Sequence, residues 1–155
     1  MIEVGSKATN FALENDQGQR VELSKLKGHA VVLYFYPKDD TSGCTAEARD
    51  FSAMEADFAK AGALVFGVSP DSVESKAKFR SKHDLTVGLL ADPDKKVSAA
   101  YGVWVEKSMY GRKYMGVERA TFLIGPDGKV AAMWRKVKVP GHAKAVLEAV
   151  KALKA

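Results

Sequence analysis

The chain of 155 residues contains a single cysteine, Cys44, and therefore cannot form an internal disulfide. It also lacks the paired cysteines of CxxC redox motifs and zinc sites, so we expect neither a disulfide scaffold nor a zinc module. No apolar run is long enough to cross a bilayer, and the N-terminus, MIEVGSKATNF, lacks the apolar core of a signal peptide. These absences predict a cytoplasmic protein with no membrane partner.

The sequence has no dense block of charge of one sign, although its formal net charge is +5. Its 24 lysine and arginine residues are spread among 19 acidic ones. The densest basic stretch, WRKVKV at 134–139, has the alternation of a β-strand with one charged face, so we expect no nucleic-acid partner. His29, His83 and His142 lack metal-ligand spacing, which predicts solvated histidines and no metal. We also expect no cofactor.

Length and composition are those of one ordinary globular domain. Folding at this size buries roughly 68 to 70% of the surface of the unfolded chain, enough for a core without disulfides or metals. Hydrophobic residues make up 46% of the chain and charged residues 28%, and no repeat, low-complexity tract or linker interrupts it. We therefore predict a single domain over residues 1–155.

Two apolar, β-rich runs, VVLYFY at 31–36 and ALVFGVS at 63–69, predict strands buried on both faces. Between them, small or apolar residues recur at helical spacing: Cys44, Ala48, Phe51, Met54 and Phe58. This pattern predicts one helix over 44–58, ended by Gly62. Strand, helix and strand then form a βαβ unit with parallel strands.

The other segments predict two hairpins and further helices around this unit. Residues 11–23 indicate an N-terminal β-hairpin at one sheet edge, and 118–137 a second hairpin around Gly-Pro-Asp-Gly. The remaining predicted elements are a polar surface helix at 72–85 capped by Ser72, a strand at 87–92, a short helix at 92–103 capped by Asp92 or Asp94, an irregular loop at 104–116, and a closing helix from Gly141 with an apolar stripe of Ala143, Val146, Leu147, Val150 and Leu153. The predicted class is α/β, a mixed central sheet flanked by helices.

Cys44 lies where the central strand gives way to a helix, at the sheet edge where reactive groups collect in open α/β folds. Unpaired N–H groups and the positive end of the helix dipole stabilise a thiolate in a first helical turn. Pro37 constrains the loop, Thr41 is placed to cap the helix, and Gly43 leaves room for a close approach. The alternative is that Cys44 is a small buried hydrophobe, as many free cysteines are.

PKDDTSGC, at 37–44, matches the Pro-x-x-x-Thr-x-x-Cys active-site motif of peroxiredoxins. The longer stretch YFYPKDDTSGCTAEARDF resembles their bacterioferritin-comigratory, or Q-type, subfamily. Two later blocks are similar to the same subfamily in the same order, GVWVEKSMYGRKYMGVERATFLIGPDGKV and WRKVKVPGH. The likeness covers nearly the whole chain and implies a thioredoxin-like fold.

The resemblance implies a role for each residue that matches the family pattern. Cys44 would be the peroxidatic cysteine, and Thr41 the hydroxyl that orients the peroxide. Pro37 would shield the pocket, and Arg119 would be the active-site arginine that stabilises the departing oxygen. Glu47, in the sequence CTAE, is expected to orient an arginine, to cap the helix or to act itself.

The chain departs from the family at the second cysteine. Many Q-type members carry one five residues after the first, where this chain has Arg49, and others carry it on the next helix, where the region FRSKHDL has none. The resemblance therefore implies a one-cysteine variant. A sulfenic acid on Cys44 would need an external thiol reductant, such as a thioredoxin-like protein, glutaredoxin, glutathione or a second copy of the chain.

The leading function that the resemblance implies is a cytoplasmic, antioxidant thiol peroxidase that reduces hydrogen peroxide and organic hydroperoxides and serves cell redox homeostasis. We expect a monomer, with a weak dimer as the alternative. Two other functions stay open. One is a peroxide sensor that passes its oxidation to a partner protein through a mixed disulfide, and the other is a thioredoxin-like binding module with an inert cysteine.

Overall fold

The structure is a computed structural model and describes residues 2–153. Over these residues the strands are β1 Ala12–Asn15, β2 Arg20–Glu22, β3 Ala30–Phe35, β4 Ala63–Ser69, β5 Gly88–Ala91, β6 Trp104–Met109, β7 Arg112–Val117, β8 Ala120–Ile124 and β9 Val130–Trp134. The α-helices are α1 Ser42–Ala53, α2 Glu55–Lys60, α3 Val73–His83, α4 Lys96–Ala100 and α5 His142–Ala152, and a 3-10 turn spans Leu23–Leu26. Within the described part of the chain, no helix is long and apolar enough to cross a membrane.

Seven strands form one mixed sheet in the order β2-β1-β5-β4-β3-β8-β9. The strands β3, β4 and β5 run parallel to one another, and the other pairings in the sheet are antiparallel. The helices α1, α2, α3 and α5 pack on one face of the sheet, whereas α4 and the residues directly after it, Tyr101 and Val103, pack on the other. The predicted mixed sheet between helices is confirmed.

The central strand β3 separates two apolar cores. All six of its residues are buried, as its uninterrupted apolar run predicted. Val32 and Tyr34 pack into the core beneath α1, α3 and α5, while Leu33 and Phe35 pack into the opposite core with Tyr101. Because β3 is parallel to β4, the carboxyl ends of both strands lie at the same end of the sheet. The start of α1, which follows β3 in the chain, lies there too.

Both predicted hairpins are present. The first consists of β1 and β2, pairs Leu13 with Val21, and lies at the sheet edge through contacts between β1 and β5. The second consists of β8 and β9 and pairs Thr121 with Trp134, with a register shift between Leu123 and Ile124. The first hairpin covers one end of the sheet, and the second places β8 directly beside β3.

The prediction of one helix over 44–58 is wrong, because the helix breaks at Met54 between α1 and α2. Met54 has φ −104° and ψ 4°, and its N–H bonds to Phe51 three residues back. Phe51 and Phe58 still pack together, with ring centroids 5.8 Å apart. The apolar spacing therefore continues across the break, which explains why the sequence pattern did not show it.

Helix α3 begins as predicted but is not a purely polar surface helix. The Ser72 hydroxyl accepts a hydrogen bond from the Ser75 N–H at 3.1 Å, which confirms the predicted cap. Phe79 and Lys76, however, are buried against the sheet. A lysine in a polar helical stretch is normally solvated, so this burial could not be predicted from the local pattern.

Both aspartates proposed as caps contribute at the start of α4. The Asp92 carboxylate accepts from the N–H of Ser98 at 2.8 Å, and the Asp94 carboxylate accepts from the N–H of Lys96 at 3.1 Å. Asp92 is buried, and it also accepts from the Ser98 hydroxyl. The N-cap residue itself is Lys95, which forms no side-chain cap bond, so neither aspartate stands at the predicted cap position although both bond to the first turns of the helix.

The prediction of an irregular loop at 104–116 is wrong. Strands β6 and β7 form a separate two-stranded hairpin, in register from Trp104 opposite Val117 to Met109 opposite Arg112. The two turn residues, Tyr110 and Gly111, have φ values of 51° and 78°, as two-residue hairpin turns require. Tyrosine is unusual at such a position, and most side chains of the hairpin are exposed, so the sequence lacked both the turn signal and the half-buried alternation of a strand.

The charged stretch at 134–139 is also not the predicted strand. β9 ends at Trp134, and Lys136 has a left-handed φ of 50° that ends the extended backbone. The Arg135 guanidinium pairs with the Glu118 carboxylate at 2.6 Å. The following helix α5 buries Val146 and the rest of its predicted stripe, except that Leu153 lies beyond the helix and is 39% exposed.

Replacing Gly67 with Ala is predicted to destabilise the fold by about 1–3 kcal/mol, the range for overpacking a tight core. An added Cβ would lie 2.5 Å from Cζ of Tyr34, whose fully buried ring stacks on Phe51. In the control Gly116→Ala, the added Cβ meets the flexible Lys107 side chain at 3.2 Å and should have little effect. Urea unfolding of both variants measures the difference, and equal losses would show that Tyr34 yields easily.

Candidate active site

A short loop at 37–41, here called the site loop, connects β3 to α1 at the carboxyl edge of the parallel strands. Pro37 follows the end of β3 and is partly buried. Asp40 adopts a left-handed φ of 62°, and Thr41 is extended, with φ −88° and ψ 156°, as an N-cap residue should be. Helix α1 then starts at Ser42, which places Cys44 in its first turn.

Thr41 occupies the cap position without forming the predicted side-chain cap. Its hydroxyl donates to the carbonyl oxygen of Lys38 at 2.9 Å, within the site loop. Its own carbonyl accepts from the Thr45 N–H at 2.8 Å, the first bond of the helix. The Thr41 side chain does not bond to a helix N–H. The N–H groups of the first turn therefore stay without this cap at the end of α1 that carries Cys44.

Cys44 is buried and bonded to an arginine. Its side chain is 1% exposed and lies in the core that contains Tyr34, Tyr36 and Phe51. Its sulfur accepts a hydrogen bond from Nη2 of Arg119 at 3.3 Å. Burial agrees with the alternative of a small hydrophobe, but a guanidinium contact is a feature that an inert packing cysteine does not need.

Arg119 lies between β7 and β8 and bridges two residues of α1. While Nη2 donates to Cys44, Nη1 donates to Oε1 of Glu47 at 2.7 Å. The arginine is 18% exposed and the glutamate 1%. A Cβ on Gly43 would lie 3.2 Å from Nη2, so the group that approaches this glycine closely is the guanidinium itself.

The buried carboxyl of Glu47 is poised between its charged and neutral forms. Burial raises its pKa to about 7, and the nearby charge of Arg119 opposes that shift. Its second oxygen, Oε2, has no hydrogen-bond partner among residues 2–153. Of the roles expected for Glu47, the contacts match that of orienting an arginine; capping does not fit, since no helix N–H bonds to it in the described residues.

The expectation that all three histidines are solvated is wrong for His142. Its ring is buried between Phe51 and Trp134, and its Nε2 lies 2.7 Å from the hydroxyl of Thr121, two residues beyond Arg119. Burial lowers its pKa to about 4, and the charge of Arg119 adds to that shift, so the ring is neutral at pH 7. The sequence signal was its position at the start of the apolar stripe of α5.

Lys76 of α3 is a second residue that the sequence did not reveal, and it binds the site loop through Asp39. Asp39 is buried, and its carboxylate pairs with the Lys76 ammonium of α3 at 2.9 Å. Among the described residues, no cluster of three or more histidine, cysteine or acidic side chains is arranged to hold a metal. The charges at this edge are instead arranged in two buried ion pairs, Arg119 with Glu47 and Lys76 with Asp39.

Comparisons with known proteins identify the family of the chain. Residues 4–133 match the AhpC/TSA family. The chain is 48% identical over 150 residues to the peroxiredoxin Bcp of Bacillus subtilis, which covers 97% of this chain and 96% of the relative. It is 45% identical over 152 residues to the peroxiredoxin Bcp of Xanthomonas campestris, with 98% and 95% covered.

Solved structures give the same result. The bacterioferritin comigratory protein of Xanthomonas campestris has a TM-score of 0.89 and 46% identity, covering 94% of this chain and 92% of that one. A cysteine-to-serine mutant of Xylella fastidiosa PrxQ has a TM-score of 0.95 and 38% identity, covering 100% and 99%. These neighbours confirm the thioredoxin-like fold. The chain therefore belongs to the AhpC/TSA family, as a Bcp-type, or Q-type, peroxiredoxin, and is a thiol-dependent peroxidase.

Proposed function

We propose that this enzyme reduces hydrogen peroxide and organic hydroperoxides through a sulfenic acid on Cys44, which an external thiol then reduces. The observation that carries the proposal is the hydrogen bond from Arg119 to the Cys44 sulfur at 3.3 Å, with Glu47 fixing the same guanidinium at 2.7 Å. A cation in contact with the sulfur of a cysteine favours the thiolate, which is the nucleophilic form.

The first chemical step joins sulfur to oxygen. The Cys44 thiolate attacks the terminal oxygen of ROOH, an S–O bond forms and the O–O bond breaks. Two electrons from sulfur reduce the peroxide, the terminal OH stays on sulfur as the sulfenic acid, and RO⁻ leaves and takes up a proton to become ROH. For hydrogen peroxide the leaving product is water.

Arg119 and Thr41 are the groups that we assign to this transition state. Negative charge moves onto the departing oxygen, so donors fixed in advance stabilise it more than they stabilise the bound peroxide. The guanidinium is fixed by Glu47. The Thr41 hydroxyl donates to the Lys38 carbonyl, but it can rotate, so it can either accept a hydrogen bond from the peroxide or donate one to it. Pro37 and Gly43 shape the entrance, as a shield and as space for Arg119.

Organic hydroperoxides are proposed as substrates because of a relative. The Xanthomonas campestris bacterioferritin comigratory protein, 46% identical to this chain, is described as having alkyl peroxide reduction activity. Solved structures of the peroxiredoxin Q of that organism also include two different cysteine-to-serine mutants, so that protein has at least two cysteines. This chain has one.

An external thiol follows from that single cysteine. Arg49 stands on the exposed face of α1, and α3 contains no cysteine, so no sulfur of the same chain can condense with the sulfenic acid. A thiol R′SH would attack the Cys44 sulfur and release water, and a second thiol would free Cys44 as R′SSR′ leaves. A thioredoxin-like protein, glutaredoxin, glutathione or a second copy of the chain all meet this requirement. A cytoplasmic location is consistent with such reductants.

Replacing Cys44 with Ser is predicted to abolish peroxide consumption while leaving thermal unfolding close to that of the wild type. The serine hydroxyl is similar in size but is not a nucleophile at neutral pH. Mass spectrometry after one equivalent of peroxide should show one added oxygen in the wild type and none in the variant.

Turnover separates the candidate functions. Sustained consumption of peroxide with a thioredoxin system or glutathione supports the peroxidase cycle, whereas a single oxidation that ends in a mixed disulfide with one protein partner supports the sensor. Unchanged peroxide consumption by Cys44→Ser would remove Cys44 from its proposed role.

Arg119→Ala is predicted to slow oxidation of Cys44 by roughly 10²- to 10³-fold, as loss of one preorganised donor to a developing anion does in other enzymes. Arg135→Ala is the matched control, since Arg135 follows β9 and pairs with Glu118 instead of the sulfur. Stopped-flow rates against peroxide concentration provide the comparison. Equal rates for Arg119→Ala and Arg135→Ala would contradict the assignment.

Glu47→Gln tests the buried carboxyl through the pH dependence of stability. Its pKa is about 7 in the folded protein against an ordinary 4.5, so the folded state holds this proton more tightly than the unfolded chain. The contribution of Glu47 to the free energy of unfolding is therefore complete below about pH 4.5 and falls as pH rises to 7, by up to roughly 3 kcal/mol.

The measured quantity is the wild-type free energy of unfolding minus that of Glu47→Gln, from urea unfolding at several pH values. Taking the difference removes the opposite contribution of His142, whose pKa of about 4 makes stability rise with pH over the same range. A difference that stays constant from pH 4.5 to 7 would show that folding leaves the pKa of Glu47 near its ordinary value of 4.5.

A further inference from the structure

Lys76 is a fully buried cation that the peroxidase chemistry described above does not use. Its side chain is 0% exposed, on the face of α3 that packs against the sheet. Burial lowers its pKa, and the charge of Asp39 opposes that shift. Removing an ammonium from water is unfavourable by several kcal/mol unless its donors are all bonded, so its partners matter.

All three N–H donors of Lys76 have acceptors. Its Nζ donates to Oδ1 of Asp39 and to the hydroxyl of Tyr36, each at 2.9 Å, and also to the hydroxyl of Ser69. These acceptors come from three places: the site loop, the residue after β3 and the end of β4. Lys76 therefore joins α3 to the carboxyl edge of the sheet at a single point.

Asp39 is held through both carboxylate oxygens and its backbone N–H. Besides Lys76, its Oδ1 accepts from the Tyr36 hydroxyl at 2.6 Å, and its Oδ2 accepts from the Ser75 hydroxyl at 2.7 Å. Its backbone N–H donates to Oδ2 of Asp71 at 2.8 Å. A loop residue with this many directed bonds has one position, so the backbone around it is fixed as well.

The site loop is bound to α3 at a second point. Next to Asp39, the Asp40 carboxylate accepts from Lys82 and contacts His83, both at 2.7 Å, in the last turn of the helix. Those contacts are exposed and thus weaker than the buried ones. Thr41 follows directly, so the geometry of its hydroxyl relative to Cys44 depends on how Asp39 and Asp40 are held.

The ionisable groups around Lys76 come from several elements of the site. They are Tyr36, the residue after β3, Asp39 and Asp71 from loops, and Cys44 from α1. Of these, Asp39 opposes most strongly the effect of burial on the pKa of Lys76. The main partner of the ammonium is therefore the buried residue of the site loop.

We propose that Lys76 is a positioning residue of the peroxidase site: through Asp39, its buried ammonium fixes the site loop and with it the position of Thr41 in front of Cys44. The proposal rests on Cys44 being the reactive sulfur, as proposed above. A buried ion pair is weak support for a role in stability, because well-packed apolar replacements are often as stable. Its directed contacts serve the geometry of the site.

The experiment compares Lys76→Met with Lys78→Met, a change of an exposed lysine two residues away on the same helix. Amide hydrogen exchange of residues 37–41 and the stopped-flow rate of Cys44 oxidation by hydrogen peroxide are measured in both proteins and in the wild type. In Lys76→Met, exchange in the site loop should speed up by roughly tenfold or more, and oxidation should slow by roughly 10- to 10²-fold, because the site loop loses its fixed position. Alkylation of Cys44 by iodoacetamide, which makes no use of Thr41, should keep its wild-type rate, which a general loss of structure would not allow. Lys78→Met should behave as the wild type does in all three measurements.

A double variant, Lys76→Met with Asp39→Asn, covers the case in which an unpaired buried Asp39 prevents folding. It removes both charges and should fold, while its oxidation of Cys44 stays slow because the site loop has lost its fixed position. Wild-type hydrogen exchange in the site loop and wild-type oxidation rates in either folded variant would overturn the proposal. Hydrogen exchange needs no peroxide, so it decides the role of Lys76 even where peroxide leaves wild-type Cys44 unchanged, a result that would refute the proposed function alone.

Discussion

The guanidinium of Arg119, shared between the sulfur of Cys44 and the carboxylate of Glu47, is the contact on which the site depends. A guanidinium is always charged and presents its donors in a rigid fork, so a carboxylate can aim it at a sulfur. Cys44 and Glu47 are three residues apart on α1 and therefore share one face of the helix. The regular geometry of α1, more than that of the loop before it, sets the spacing of the two acceptors.

The sheet positions Arg119, the other partner in this contact, although Arg119 and Cys44 are 75 residues apart in sequence. β3 and β8 are antiparallel neighbours with Phe35 opposite Ala120, so the chain leaving β3 and the chain entering β8 meet at one edge. Gly43 then removes the side chain that would stand against the guanidinium. A shift of this register by one residue would turn Arg119 to the other face of the sheet.

The sequence predicted those parts of the fold in which one strong local pattern decides the structure. β3 and the stripe of α5 are examples. The family motif pointed to Cys44 and the wider resemblance to Arg119, whereas Glu47 was left with three possible roles. The hairpin of β6 and β7 was missed because its side chains are exposed and its turn is Tyr110-Gly111. Lys76 was missed for another reason: its acceptors belong to distant segments of the chain, and only tertiary structure brings them to one point.

Burial shifts three ionisable groups of this region toward the neutral form: it raises the pKa of Glu47 and lowers those of Lys76 and His142. The low polarity that opposes a buried charge also strengthens the attraction between an anionic sulfur and any cation beside it. The group in contact with the sulfur must therefore keep its charge when buried. Arginine does, whereas a lysine keeps its charge only with a carboxylate such as Asp39 against it. This difference accounts for an arginine at the sulfur and a paired lysine behind it.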